Sequence, residues 1–281
     1  MGRTSIVTDS ASGLTPDEAS RFGIHVIPIH IEIGGRTYHE GTDLSLSEFY
    51  QLVSSDTVVP TTSPPTLREF HDLYRQLSRE SEEIIGIHLS SRLGRTLGVA
   101  RQAAQTFLGR TRVTLVDSRL VATPLAWLAK AAAEAAAAGV DTREVVRLVR
   151  AMIPHMYVAF FVESLEQLER VGLAPRAPAI TPVSPSVKPL LVIEEGEIAV
   201  LERSRAKGGA VERLFQFVAE FPRVERVAIL QGKPMPESLE LATLINEQMP
   251  EQEVETAFYP ASVATYVGSS ALGVAVYEGL G

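Results

Sequence analysis

The stretch SIVTDSASGLTPDE, residues 5–18, combines a short strand, a polar turn and a helix start within one segment. Its first part, Ser5–Thr8, is short and apolar at its centre, which is typical of a strand inside a sheet. Thr15 to Glu18 then carries a capping Thr, a Glu three residues later and Pro16 at the first helical position. The segment therefore predicts one strand–helix unit of an α/β fold.

The same alternation continues through the first half of the chain. Further capping sequences open at Ser45, Thr66 and Asp141, and Gly139 follows a helical pattern from about Val121. Gly34-Gly35 after an alternating segment indicates a turn. Strands that alternate with helices predict a mostly parallel sheet covered on both faces, a three-layer α/β/α arrangement. The predicted strands are Ser5–Thr8, His25–Ile33, Ile84–Leu89 and Val113–Val116.

The pattern changes near residue 156. A strand at Tyr157–Val162 leads into a short helix, and Glu194–Glu197 lies between two apolar runs as in a hairpin. This pattern predicts a smaller two-layer α+β unit with a mixed sheet. We expect an N-terminal domain over 1–156 and a C-terminal domain over 157–281, with the ligand site between them. The remaining predicted elements are strands at Val187–Ile193, Ile198–Leu201 and Arg226–Leu230, and helices near Ser164–Arg170, Gly209–Glu220 and Pro236–Met249.

Composition excludes several classes of protein. The 281 residues carry a net charge of -8 and no cysteine, which argues against extended nucleic-acid binding and rules out disulfides and thiolate chemistry. No run approaches the ~20 apolar residues of a membrane span. The first ten residues lack the apolar core of a signal peptide. We therefore expect a cytoplasmic protein with no stable membrane insertion.

Polar residues follow three of the predicted strands. They are Asp9 with its neighbours Thr8 and Ser10, Ser90-Ser91, and Asp117-Ser118, and the hydroxyl cluster Thr61-Thr62-Ser63 accompanies them. Ligands of open α/β sheets bind at the carboxyl ends of the strands. Each exit taken alone fits a helix N-cap better than a ligand contact. Taken together, the exits predict a ligand site at that edge.

The segment from Leu89 to Thr96 carries the strongest signal for an anion. Gly94 lies close to a helix start, so the backbone N–H groups near Gly94, Arg95 and Thr96 should lack internal partners. Free N–H groups and the helix dipole favour a negative charge there. Arg95 would add a positive charge, although an Arg in a first turn is equally often a solvated surface residue.

Catalytic motifs are missing. The sequence has no phosphate-binding G-x-x-x-x-G-K-[ST] loop, no G-x-G-x-x-G after the first strand and no G-x-S-x-G elbow. The six histidines show no metal-ligand spacing. His25, His30 and His88 lie in apolar strands and are interpreted as structural. We predict no catalytic residue, no metal site and no cofactor.

An ordered set of short motifs covers the whole chain. Each motif is weak, but their order is specific, and together they resemble the DegV family. The matching segments are Val7-Thr8-Asp9-Ser10, Asp43-Leu44 with Phe49-Tyr50, Thr62-Ser63-x-Pro65, Ser90-Ser91-x-Leu93-x-x-Thr96, Asp117-Ser118-Arg119, Ser164-Leu165-Glu166-x-Leu168, and Ser186-Val187-Lys188-Pro189 with Gly196.

This resemblance implies a function. Members of the family are two-domain α/β proteins that hold a long-chain fatty acid, such as palmitate, in an interdomain tunnel. The resemblance also implies the role called FakB, in which the protein presents the carboxylate of the bound acid to a separate fatty acid kinase, and the acid becomes an acyl phosphate. By motif position, the head-group contacts fall on Thr62, Gly94 and Tyr266. The neighbouring residues Ser63, Arg95, Thr96, Ser90 and Ser91 complete the expected fatty-acid site.

Several of these positions depart from the family pattern. Gly94-Arg95 stands where Ser-Gly is usual, and Tyr266 begins a segment that replaces H-x-G-P-G. Pro64 replaces a Gln, and the Arg expected near Gly172-Leu173 is missing. These changes imply altered carboxylate recognition, in which Arg95, the Tyr266 hydroxyl and nearby N–H groups replace the lost contacts.

The role of one basic segment and the function of the whole chain both stay open. The basic residues Arg203, Arg205 and Lys207 form either a docking patch for a partner or a solvated loop. The chain is a lipid-binding subunit in the first hypothesis. In the second it is a stand-alone phosphotransferase or hydrolase that uses Asp9, Asp117 or Ser90. In the third it is a carrier or sensor of another apolar acid.

Overall fold

The computed structural model describes residues 4–54, 58–107, 111–163, 165–170, 173, 189–202 and 209–281. The predicted positions Ser164, 171–172 and 186–188 and the basic residues Arg203, Arg205 and Lys207 lie outside them. In chain order the strands are β1 (Thr4–Asp9), β2 (Ile24–Ile27), β3 (His30–Ile33), β4 (Arg36–His39), β5 (Thr61–Ser63), β6 (Glu83–His88), β7 (Arg112–Asp117), β8 (Met156–Phe161), β9 (Leu190–Glu194), β10 (Glu197–Glu202), β11 (Arg226–Gln231), β12 (Val254–Phe258) and β13 (Leu272–Tyr277).

Helices connect most of these strands. The three predicted capping boxes are confirmed, because the side chains of Thr15, Ser45 and Thr66 accept from the N–H three residues later and the Glu there reaches back. The helices are α1 (Pro16–Phe22), α2 (Leu46–Leu52), α3 (Leu67–Leu77), α4 (Thr96–Ala104), α5 (Thr123–Ala137), α6 (Thr142–Met152), α7 (Glu166–Arg170), α8 (Ala210–Ala219), α9 (Pro236–Gln248) and α10 (Ala261–Val267).

The N-terminal half is built on a parallel sheet in the order β2-β1-β6-β7. Successive residues of a strand face opposite sides of the sheet. Ile84 of β6 accordingly packs with Phe70 and Tyr74 of α3 on one side, and Ile85 packs on the other side in the core that contains Leu125 of α5. Helices therefore cover both faces of the sheet. The predicted three-layer α/β/α arrangement is confirmed.

A small antiparallel sheet in the order β4-β3-β5 was not predicted. The expected single strand His25–Ile33 is wrong, since β2 joins the parallel sheet and β3 joins the small one. Pro28 lies between them, and proline has no N–H to donate to a sheet. Gly34 and Gly35 have positive φ and form the turn between β3 and β4, as predicted.

The C-terminal half contains a six-stranded mixed sheet in the order β10-β9-β8-β13-β11-β12. Among the strand pairs of this sheet that the structure describes, β11 and β12 are parallel and the others are antiparallel. Helices α8 and α9 pack on one face, and α5 packs on the other against β8 and β13. The mixed sheet is confirmed, whereas β12, β13 and α10 were missed. We keep 1–156 and 157–281 as the proposed domains.

Candidate ligand-binding site

A cavity of about 240 Å³ is lined by both halves of the chain. Most of its wall is aliphatic or aromatic, so it suits a hydrocarbon better than a polar metabolite. Its apolar lining consists of Ala11, Ile29, Pro64, Leu89, Leu93, Val121, Phe160, Leu173, Leu191, Val192, Ile193, Ile198, Val263 and Val267.

One polar part of the wall joins the small sheet to α10. Thr62 lies on β5 opposite Ile31 of β3, which fixes its position along the cavity. Its hydroxyl hydrogen-bonds the Tyr266 hydroxyl of α10. Ser63 also lines the cavity beside them. Each hydroxyl of this pair has one proton and two lone pairs, so one O–H stays available to an acceptor in the cavity.

The start of α4 forms a second polar part of the wall. Arg95 occupies the N-cap position and gives no side-chain acceptor, so the first-turn N–H groups from Thr96 onward have no side-chain cap. The N–H of Gly94 was expected to be free, but it donates to the Ser90 carbonyl oxygen. The uncapped donors therefore begin after Gly94.

The Arg95 side chain carries the positive charge of this wall. It is exposed, lies in the cavity lining and has no ion-pair partner within the described ranges. Gly94 beside it is closely packed, since a Cβ there would stand 3.2 Å from Leu89 Cδ1. The cavity thus combines an apolar lining with hydroxyls, helix N–H groups and the guanidinium of Arg95.

Ser90 and Ser91 do not line this cavity. The Ser90 hydroxyl donates to the Gly196 carbonyl oxygen at 2.7 Å, in the turn between β9 and β10. Gly196 has φ of 82°, and a Cβ there would stand 2.6 Å from Ser90 Oγ, so this contact requires glycine. The Ser91 hydroxyl donates to the Asp117 carboxylate. Both serines therefore hold the hairpin and the strand exits in place.

Asp9 and His88 form a buried pair at the end of the parallel sheet. Both side chains are fully buried, and His88 Nδ1 lies 3.0 Å from Asp9 Oδ2. The same carboxylate oxygen accepts from the Leu89 N–H at 3.0 Å. His88 is thus a structural histidine, as predicted.

Glu40 is a site-adjacent carboxyl group that the sequence did not single out. It accepts from Ser10 Oγ at 2.5 Å and from the Ser262 N–H of α10 at 2.7 Å. Burial raises the pKa of Glu40 to about 7, and the hydrogen bonds from Ser10 and Ser262 only partly oppose that rise. The only sequence signal was an acid at the end of a strand.

Comparisons with known proteins agree over nearly the whole chain. A family model described as "Uncharacterised protein, DegV family" matches residues 3–279. A DegV domain-containing protein of Deinococcus radiodurans is 30% identical, over 96% of this chain and 97% of that one.

Two solved structures have the same fold. A DegV family protein from Thermus thermophilus, described by its fatty acid binding, has a TM-score of 0.88 at 27% identity and covers 98% of this chain and 99% of its own. DegV from Bacillus subtilis, described as a fatty acid binding protein, has a TM-score of 0.88 at 24% identity. The match covers 99% of this chain and 100% of the Bacillus subtilis chain.

Proposed function

We propose, from the premise that this chain belongs to the DegV family, that it binds a long-chain fatty acid in the cavity between its two halves and presents the carboxylate to a separate kinase. The observation that carries the proposal is a mainly apolar cavity whose polar wall gathers Thr62, Tyr266, Arg95 and the start of α4. The Thermus thermophilus relative, described by its fatty acid binding, supports the ligand class.

The hydrocarbon tail supplies most of the affinity. The fourteen methylenes of palmitate gain on the order of 11 kcal/mol gross when they are buried, at ~0.8 kcal/mol per methylene. A hydrogen bond to the charged head group adds only about 1.5–3 kcal/mol. The polar wall therefore sets which end of the ligand faces Thr62, and the apolar wall sets how tightly the ligand is held.

Three kinds of donor are available to the carboxylate head group: a hydroxyl, backbone N–H groups and a guanidinium. A carboxylate accepts hydrogen bonds only, so it matches the free O–H of the Thr62–Tyr266 pair and the uncapped N–H groups at Thr96. Arg95 adds the opposite charge. In this arrangement Arg95 compensates for the hydroxyl that the family pattern has at position 94.

The chain itself contributes no chemical step in this proposal. Asp9, Asp117 and Ser90 are engaged with His88, Ser91 and Gly196 respectively, which favours binding over the phosphotransferase or hydrolase hypothesis. The partner kinase supplies ATP, and a carboxylate oxygen of the bound acid attacks the γ-phosphorus and releases ADP. Docking through Arg203, Arg205 and Lys207 belongs to this proposal.

Native mass spectrometry of the purified protein tests the ligand class. We expect a co-purified acyl chain.

A substitution in the cavity wall tests where the ligand lies. Val263→Phe should displace about three methylenes of the tail and weaken palmitate binding about fiftyfold, or about 2.4 kcal/mol. Val140→Phe is the matched control, because Val140 is 41% exposed and outside the cavity. Absence of both a co-purified lipid and palmitate binding contradicts the proposal, as does ATP hydrolysis without a partner.

The role of Arg95 is tested with two ligands of equal tail length. Arg95→Ala should weaken palmitate about tenfold, the lower end for a bond to a charged group, and should leave palmitate methyl ester unchanged. Arg101→Ala on the same helix is the control, since Arg101 is exposed and outside the cavity lining. Equal loss for acid and ester shows that Arg95 packs against the tail instead.

A further inference from the structure

Three side chains outside the cavity lining meet at one point between the small sheet and α3. His30 of β3 and His39 of β4 are directly paired across the two strands, with ring centroids 4.7 Å apart. Glu69 reaches them from the first turn of α3. Its Oε1 atom lies 3.0 Å from His30 Nε2 and 3.4 Å from His39 Nε2. The three facing atoms all lie within 4.8 Å of one another.

The two carboxylate oxygens of Glu69 have different tasks. Oε2 accepts from the N–H and the hydroxyl of Thr66, each at 2.6 Å, and so caps α3. Oε1 makes no contact with Thr66 and faces the two imidazoles instead.

Asp43 fixes the tautomer of His39. Its Oδ2 atom lies 2.9 Å from His39 Nδ1, and its Oδ1 atom accepts the His39 backbone N–H. Since a carboxylate only accepts, Nδ1 of His39 holds a proton, and Nε2 is the nitrogen that can present a lone pair. Nε2 faces Glu69 Oε1, which is also an acceptor. A lone pair there would be repelled by this oxygen, so the position takes either a proton or a metal cation.

The distances from Glu69 Oε1 to the two imidazole nitrogens suit the ligands of a transition-metal ion. Zinc binds nitrogen and oxygen ligands at about 2.0–2.2 Å, so tetrahedral ligands stand about 3.4 Å apart. A carboxylate that holds the second nitrogen of a ligand histidine is the usual outer support of such a site. Entry from solvent is open, since the side chains of His39 and Glu69 are 38% and 31% exposed.

We propose that His30 Nε2, His39 Nε2 and Glu69 Oε1 bind a zinc-class divalent metal ion, with Asp43 as the orienting carboxylate. Metal binding needs the lone pair of His30 Nε2, so the proton between Nε2 and Glu69 Oε1 moves to Nδ1 of a neutral ring, or to solvent from a doubly protonated ring, and a water completes the coordination. His30 also pairs with Ser63 of β5. The metal therefore crosslinks β3, β4 and α3 next to the strand that carries Thr62, a role separate from the binding of a fatty acid.

Titration of the chelator-treated full chain with Co²⁺ and Zn²⁺ tests this site. We expect one Co²⁺ per chain, with the visible absorption of a low-coordinate ion that Zn²⁺ abolishes. His39→Ala should lower the Zn²⁺ affinity at least a hundredfold, and Asp43→Asn should lower it tenfold to a hundredfold. Zn²⁺ should raise the Tm of the wild type and leave that of His39→Ala unchanged.

His71→Ala is the matched control, because His71 lies on α3 but packs against Phe107, away from the cluster. It should bind Co²⁺ like the wild type. If the wild type binds no stoichiometric Co²⁺, a proton on His39 fills the position and the proposal is wrong. Equal binding by the wild type and by folded His39→Ala also contradicts it. Palmitate binding is measured on the same samples, so failure of the metal site is distinguishable from failure of the lipid proposal.

Discussion

Two polar regions of this molecule differ in whether the fold itself supplies their hydrogen-bond partners. In the region around Asp9 and Glu40, each carboxyl group accepts hydrogen bonds from the fold itself. At the cavity wall, Arg95 and the first N–H groups of α4 have no such partner within the described ranges. We call the first region the closed network, in which only Asp9 Oδ1 and His88 Nε2 of the Asp9–His88 pair lack a hydrogen-bond partner among the described residues, and we call the second region the open wall.

The difference teaches which polar motifs bind ligands. A buried polar group must be hydrogen-bonded because an unpaired one costs free energy. Groups that the fold has already paired stabilise the structure, whereas groups at a cavity wall remain available to a ligand. Changes in the closed network should therefore alter stability, and changes at the open wall should alter binding.

Asp9→Ala should have the largest effect. It removes the acceptor of His88 and of the Leu89 N–H in a fully buried position, so we expect the free energy of unfolding to fall by about 3–5 kcal/mol. Urea unfolding measures this loss. Asp17→Ala in the exposed first turn of α1 is the control and should cost less than about 1 kcal/mol. An equal cost for both variants would remove the distinction between the two regions.

Glu40 should make stability depend on pH. Its pKa rises from 4.5 to about 7 on folding, so the folded chain holds a proton that the unfolded chain releases in this window. The stabilisation is complete below the lower value and is lost as the pH rises through the higher one, by about 3 kcal/mol in total.

Glu40→Gln isolates that contribution. The unfolding free energy of the variant should rise relative to that of the wild type between pH 5 and pH 8, as measured by urea unfolding at each pH. Glu32→Gln on the exposed face of β3 should leave the pH dependence of the wild type in place. A pH-independent difference for Glu40→Gln would show that Glu40 stays charged in the folded protein.

Thr62→Val should show the smallest effect and should act on binding alone. The substitution keeps the shape but removes the hydroxyl that pairs with Tyr266, so palmitate affinity should fall about tenfold, or about 1.5 kcal/mol. Isothermal titration measures the affinity, and urea unfolding should change by less than about 1 kcal/mol. If the free energy of unfolding falls more than the free energy of palmitate binding, Thr62 belongs to the closed network.

Local signals predicted most of the fold. Capping boxes at Thr15, Ser45 and Thr66 give helix starts from a few residues, because both hydrogen bonds form within one turn. Strand pairing is not local in this sense. The expected strand is divided at Pro28 because β2 and β3 join different sheets, and strand partners cannot be identified from one segment of sequence. The apolar run of β13 was a local signal that could have been used.

The site was predictable in part for the same reason. Thr62, Gly94, Arg95 and Tyr266 were named from motifs, and the cavity lining contains all four. The cluster of His30, His39 and Glu69 was missed because no fixed spacing in the sequence connects them. Only the pairing of β3 with β4 and the position of α3 bring their atoms together.

The place of β13 has a consequence for synthesis. Residues 272–277 lie between β8 and β11, although both of those strands come earlier in the chain. The parallel sheet has all its strands once Asp117 has left the ribosome, but the mixed sheet stays divided until its central strand arrives. During translation the first half can therefore fold well before the second, and the cavity wall that includes Phe160 of β8 gains the support of its neighbouring strand β13 last.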